Sequence, residues 1–371
     1  MAVRPYHGAV TVRLGFLGAG FIARHHAGML DLAGADAKIV AVHDPDTARA
    51  AAFAEAHGAT VAADEEEVVA AADAVYVCTW TSEHPRLVAL AAAEGRAVFC
   101  EKPLATTLAD ATAMVQDVQR AGVVNQVGLV MRDYPGFLLL RALARRPVSG
   151  RLMSIVFRDD QFIPVQGMYA SDWRADRTRA GAGTLLEHSI HDLDILEWLA
   201  GPVTSVTGRT ASFHQHQGIE DVAVATLAFA SGALATLTSV WHDVLARPSL
   251  RRVEVFCERA WYALEGDVFG PLRWMVDDGE EGAVAGDELV ERLHAEGVPT
   301  RNPDGAFVEA VATATPSDPD LAQALRAHVL TDAVYRSAAA SGHPVATPVA
   351  GDPPAGSPAG GGGTDGRVGA T

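Results

Sequence analysis

The chain has 371 residues, enough for two domains rather than one core. Hydrophobic residues make up 49% and charged residues 20%, a composition suited to a globular enzyme, and the formal net charge is −17. That charge opposes long-range attraction to nucleic acid and anionic membranes, no stretch is apolar enough to span a bilayer, and the opening MAVRPYHGAV lacks a secretion signal's apolar core.

Cys78, Cys100 and Cys257 show neither a pairing pattern nor metal spacing. Cys78 and Cys100 fall on apolar strand patterns, where cysteine acts as a small hydrophobe. This usage fits a reducing compartment, so a cytoplasmic location is expected, with neither membrane nor nucleic-acid partners.

Thr11 to Leu17 reads as a strand, and Gly18-Ala19-Gly20-Phe21-Ile22-Ala23 follows at once. A helical pattern then runs through Ile22, His26 and Leu30. In strand–turn–helix order, Gly18 permits the tight turn and Gly20 lets backbone approach a pyrophosphate at the helix N-terminus. The next strand, Lys38 to His43, ends at Asp44, where a carboxylate can accept hydrogen bonds from an adenosine ribose. Helices over Asp46–His57 and Glu65–Ala72, a strand over Ala74–Cys78 and a helix over Pro85–Gly95 come next. A strand over Ala97–Cys100 ends at Glu101-Lys102-Pro103; a helix at Leu108–Ala121 and a strand at Val123–Val130 follow. This alternation predicts a Rossmann parallel sheet over residues 1–130, with Gly18, Asp44, Thr79, Lys102 and Gln126 at or near its ligand-binding edge.

The pattern then changes. Pro135–Arg145 reads as a helix. Strands are expected at Met153–Phe162, Val203–Ala211, Asp221–Phe229, Ala233–Trp241, Arg252–Cys257 and Trp261–Glu265, with a hairpin at Ser231-Gly232. Consecutive strands predict an open, mostly antiparallel sheet in an α+β domain over 131–346. Two helices interrupt or close it, Thr184–Leu199 and Leu321–Ser341, the second packing back on the body. Residues 349–371, with four consecutive glycines, read as a disordered tail.

The segment Gly181 to Asp194 carries Glu187, His188, His191, Asp192 and Asp194 among large apolar residues. On one continuous helix Glu187 and His191 share a face. Burying so many ionisable groups is costly, which favours a catalytic role, and histidine is the usual proton-transfer group near neutral pH. Neither His188, His191 and Asp192 nor His214 and His216 has a recognised zinc spacing, so no metal is expected. His25 and His26 read as packing or pyrophosphate-adjacent residues.

Gly18-Ala19-Gly20, Thr79 to His84 (TWTSEH), Glu101-Lys102-Pro103-Leu104 and Gly181 to Asp194 together resemble the glucose–fructose oxidoreductase / inositol dehydrogenase / rhizopine-catabolism (Gfo/Idh/MocA) family, over about residues 11–346. The resemblance implies a nicotinamide cofactor on the Rossmann domain and a C-terminal open sheet that covers the substrate and joins subunits into a homo-oligomer, a dimer or tetramer. It implies that Lys102 supports the reacting hydroxyl and His191 transfers its proton. Glu187 stands where inositol dehydrogenases carry aspartate. The cofactor set is then Gly18, Ala19, Gly20, Phe21, Ile22, Asp44, Thr79, Trp80, His84, Glu101, Lys102 and Gln126. The substrate set is Lys102, Arg132, Trp173, Arg174, Glu187 and His191. The expected reaction is NAD-dependent oxidation, or the reverse reduction, of a secondary alcohol on a sugar, cyclitol or derivative, with NAD preferred to NADP. Glycoside cleavage through transient oxidation and elimination, and a catalytically silent NAD-binding regulator, are the alternatives.

Overall fold

The structure, a computed structural model, describes residues 11–266, 269–277 and 279–348. The expected tail therefore lies outside the described residues.

Six strands build the first sheet: β1 Val12–Leu17, β2 Ala37–His43, β3 Thr60–Val61, β4 Ala74–Val77, β5 Ala97–Cys100 and β6 Asn125–Val127. Every pair is parallel, and the order is β3-β2-β1-β4-β5-β6. β4 and β5 are continuous apolar runs because helices cover both of their faces. The order reverses between β1 and β4, so the loops after Leu17 and Val77 diverge and open a crevice at the strands' carboxyl ends.

The second sheet has nine strands: β7 Leu152–Phe162, β8 Val203–Ala211, β9 Val222–Phe229, β10 Leu234–His242, β11 Leu250–Cys257, β12 Ala260–Glu265, β13 Leu272–Val276, β14 Glu281–Val284 and β15 Val345–Ala346. Their order is β14-β13-β12-β11-β7-β10-β9-β8-β15. All neighbours are antiparallel except β7 and β10, which run parallel at the centre. Gly232, at φ +87°, makes the expected β9–β10 turn. Helices Pro135–Ala144, Ile190–Ala200, Asp287–Ala295 and part of Leu321–Ala339 cover one face of this sheet. The other face leaves Val156, Val224, Leu234, Phe256 and Met275 exposed.

The chain then returns. Helix Pro303–Thr313 places Phe307 and Val308 in a core with Phe16 and Phe99 of the first sheet. Helix Leu321–Ala339 buries Leu321 and Ala324 against the Rossmann side, and Leu330 and Val334 against the second sheet. Helices Asp287–Ala295 and Pro303–Thr313 were not expected from the sequence. The second had a readable start, because Asn302 caps it through the Asp304 and Gly305 amides and Pro303 occupies its first turn.

Candidate active site

A cavity of about 1200 Å³ runs from the Gly18–Ile22 turn to the Gly181–Asp194 segment. Gly18 sits at φ +93°, and a Cβ there would stand 2.5 Å from the Cys78 carbonyl oxygen. Gly20 caps helix Phe21–Ala33 without a side chain, and a Cβ on it would project into open space. The helix presents unpaired first-turn amides and no acidic residue, so this cradle fits a dinucleotide pyrophosphate. Asp44 supports the turn: one carboxylate oxygen accepts from the Ala19 amide (2.8 Å) and the other from the Asp46 amide (2.9 Å). Thr79, Trp80, Glu101 and Lys102 line the same cavity.

Lys102 reaches across it. Its ammonium donates to the Glu187 carbonyl at 2.8 Å and lies 3.8 Å from the Glu187 carboxylate. Arg174 donates to that carboxylate at 2.6 Å, with its guanidinium 4.7 Å over Trp173. Burial alone would raise the Glu187 pKa, but Arg174 and then Lys102 hold it at about 2. Glu187 is therefore a fixed anion between two cations. Arg174→Met should lower turnover roughly tenfold by loosening Glu187 and, through it, the Lys102 ammonium; unchanged steady-state kinetics would reduce Arg174 to packing on Trp173.

His191 is buried, lines the cavity, and leaves Nδ1 without a hydrogen-bond partner. Burial, then the positive charges of Lys102 and Arg251, put its pKa well below the usual 6.5. Glu187 gives no opposing pull, because its carboxylate is held by Arg174 and Lys102. His191 is a neutral imidazole near pH 7, able to accept a proton.

A buried polar network backs the site. Arg251 donates to Asp192 at 2.8 Å, lies 3.2 Å from Asp159, and meets His188 Nε2 at 2.9 Å. Burial, then the charge of Asp159, raise the Asp192 pKa to about 7. Burial, then Arg251, lower that of His188 to about 3. Sequence reading missed Asp159 and Arg251. Each sits in phase with inward apolar residues, Asp159 with Ile155 and Phe157 and Arg251 with Val253 and Val255, and a charge at an inward strand position was the available signal.

Four expectations change. The helix expected over Thr184–Leu199 breaks at His188 and Ser189, so Glu187 ends one short helix while His191 lies in the first turn of the next. Both still line the cavity, but through the break rather than a shared helical face. Gln126 was expected at the cofactor; it is fully buried and donates to the Pro303 carbonyl, while its side-chain oxygen accepts from Ser317. Arg132 was expected at the substrate; it forms a two-pronged pair with Asp194 (2.7 and 2.5 Å), and neither it nor Gln126 lines the cavity. His84 borders the cavity, but its Nδ1 donates to the Pro103 carbonyl (2.9 Å), which staples the Glu101-Lys102-Pro103 loop. Among the described residues no three His, Cys, Asp or Glu groups gather as a metal centre, and no helix is long and apolar enough to cross a membrane.

Residues 12–129 match the model of an oxidoreductase family with an NAD-binding Rossmann fold, and residues 137–263 match the GFO/IDH/MocA C-terminal domain. Inositol 2-dehydrogenase of Cereibacter sphaeroides is 32% identical over 229 residues, 60% of this chain and 65% of its own length. The chain thus spans slightly less than two thirds of that relative. 1,5-Anhydro-D-fructose reductase of Ensifer adhaerens is 32% identical over 62% of this chain and 68% of its own length. Levoglucosan dehydrogenase in complex with NADH shares the fold, with a TM-score of 0.80 at 19% identity over 91% of this chain and 99% of that one. So does the WlbA dehydrogenase of Bordetella pertussis in complex with NADH and UDP-GlcNAcA, at 0.79 and 23%, over 91% and 98%. With both domains matched in order and the glycine cradle, Lys102 and His191 around one cavity, this chain belongs to the Gfo/Idh/MocA family of NAD-binding oxidoreductases.

Proposed function

We propose that the protein oxidises one secondary alcohol of a sugar, cyclitol or related polyol with NAD, or runs the reverse reduction. The observation that carries this reading is the placement of the Lys102 ammonium and the unpartnered, neutral His191 on one cavity with the glycine cradle. Relatives named for inositol and 1,5-anhydro-D-fructose support the substrate class. Bound NAD supplies the hydride acceptor. His191 takes the hydroxyl proton as the carbinol hydride departs. Lys102 donates to the same oxygen and stabilises the negative charge that develops on it. Glu187 holds Lys102 in place, and Trp173 offers an apolar wall to a sugar ring. Subunits associate through the open face of the second sheet, where Val156, Phe256 and Met275 are exposed.

The test is NADH formation from NAD with a panel of cyclitols, aldoses and anhydrosugars. Accumulating NADH supports the reading. Cleaved glycosides without NADH would move it to the elimination route, and no turnover at all to a binding protein.

The Asp44 carboxylate disfavours a 2′-phosphate, and the nearby cation, Arg49, already lies 3.6 Å from Asp44 and 3.4 Å from Asp46. NAD should bind at least about tenfold tighter than NADP, about 1.4 kcal/mol. Asp44→Ser should narrow the gap. Calorimetric dissociation constants that favour NADP would reverse the assignment.

A further inference from the structure

Among the buried ionisable clusters that the mechanism above leaves unused, one touches the backbone of Lys102. His26, on helix Phe21–Ala33, is fully buried. Its Nε2 lies 2.9 Å from a Glu101 carboxylate oxygen and its Nδ1 2.8 Å from one of Asp304. Two carboxylates accept from the two ring nitrogens, so both nitrogens carry protons and the ring is an imidazolium. Burial alone would lower its pKa, but the hydrogen bonds to Asp304 and Glu101 raise it to about 9. Phe99 meets the ring edge to face at 4.7 Å, and Tyr76 stands 5.6 Å away.

The cluster leads to the site. The second oxygen of Glu101 accepts from the Lys102 backbone amide at 3.1 Å. Space for this carboxylate is reserved, because a Cβ on Gly128 would stand 2.2 Å from the Glu101 oxygen that faces His26. Asp304 brings in the returning helix Pro303–Thr313, so three distant segments fix one carboxylate. A charged triad is costly to bury, and an apolar core would hold the helices as well. What the triad adds is a defined orientation for Glu101.

We propose that His26 is a positioning residue for Lys102: it fixes Glu101, Glu101 fixes the Lys102 backbone, and the ammonium is thereby aimed into the cavity before substrate arrives. The inference rests on the catalytic role given to Lys102. Asp304 completes the device by holding the far side of the imidazolium.

The composition offers a direct test, since Lys38 and Lys102 are the only lysines in the chain. Protein labelled with carbon-13 at lysine Cε gives two side-chain signals, and Lys102→Ala assigns them. His26→Asn should move the Lys102 signal and its titration and leave Lys38 in place as an internal control. With inositol and NAD, or 1,5-anhydro-D-fructose and NADH, it should lower kcat by up to about 100-fold, the cost of a misplacement near 1 Å, while KM changes little. In a Lys102→Ala background the same change should cost less than about twofold, because the two act as one unit. Should His26→Asn fail to fold, Asp304→Asn keeps the shape of the triad and should move the same lysine signal to a smaller extent. An unmoved Lys102 signal in a folded variant, or equal losses in both lysine backgrounds, overturns the proposal and leaves the proposed function standing. Wild-type turnover in Lys102→Ala overturns the lysine's catalytic role and this inference with it.

Discussion

Lys102→Ala should lower kcat by roughly 10²–10³-fold, the scale of losing one preorganised donor to a developing oxyanion. The side chain is 16% exposed, enough to meet a substrate and too little for water to replace it fully. Its two contacts on the far side, the Glu187 carbonyl at 2.8 Å and carboxylate at 3.8 Å, hold the ammonium before any substrate binds. KM should rise less than kcat falls, because the charge Lys102 answers grows only as the hydroxyl proton leaves. Lys102→Arg should not restore the rate. A planar guanidinium presents its donors in a fixed fork and does not fit a contact made by a compact ammonium. Steady-state kinetics with melting temperature decide this. Near wild-type turnover in a folded Lys102→Ala protein would confine the lysine to bracing Glu187.

His191→Ala should cost roughly 10²–10⁴-fold in oxidation, the usual range for losing a general base. The pH profile separates a base from a strut. Oxidation needs the neutral ring, and the folded-state pKa lies well below 6.5, so the active form persists as the pH falls through that value. The acid limb of kcat/KM that belongs to His191 should therefore lie below pH 6.5, and His191→Ala should abolish it. His191→Asn should retain more substrate affinity than turnover, since its amide hydrogen-bonds without accepting a proton. If the limb is unchanged in His191→Ala, the base lies elsewhere. Glu187 is a poor substitute at neutral pH, because a carboxyl held at about 2 takes up a proton only in strong acid.

Much of this was legible because it is local. The strands at Ala97–Cys100 and Val203–Ala211 and the helix at Leu108–Ala121 match their expected bounds, since each joins a clear apolar period to a Gly, Pro or capping signal. Lys102 and His191 were read from motifs, and both line the cavity. Placements that departed from the reading depend on distant partners. Gln126 was placed by proximity to a strand end, but strand alternation turns it toward Pro303, which lies 177 residues further on. Arg132 was assigned to substrate because its pairing with Asp194, 62 residues away, is not visible in the sequence, and the helix break at His188 has no local proline or glycine to announce it. His26 read as a packing or pyrophosphate-adjacent residue because its two carboxylate partners lie 75 and 278 residues away.

The two returning helices bear on how the chain is made. The first sheet is synthesised early, yet Phe307 and Val308 complete one of its cores and Leu321 and Ala324 the other. Asp304, which fixes the far side of His26, leaves the ribosome 203 residues after Glu101 (304 − 101). At about 5–20 residues per second that interval is roughly 10–40 s, during which eight of the nine strands of the second sheet, β7 to β14, are produced. Throughout it, His26 faces a single carboxylate and the nucleotide-binding half keeps two apolar flanks open. The first domain in the sequence is therefore among the last to be finished in space, since its two cores close only when helices Pro303–Thr313 and Leu321–Ala339 dock.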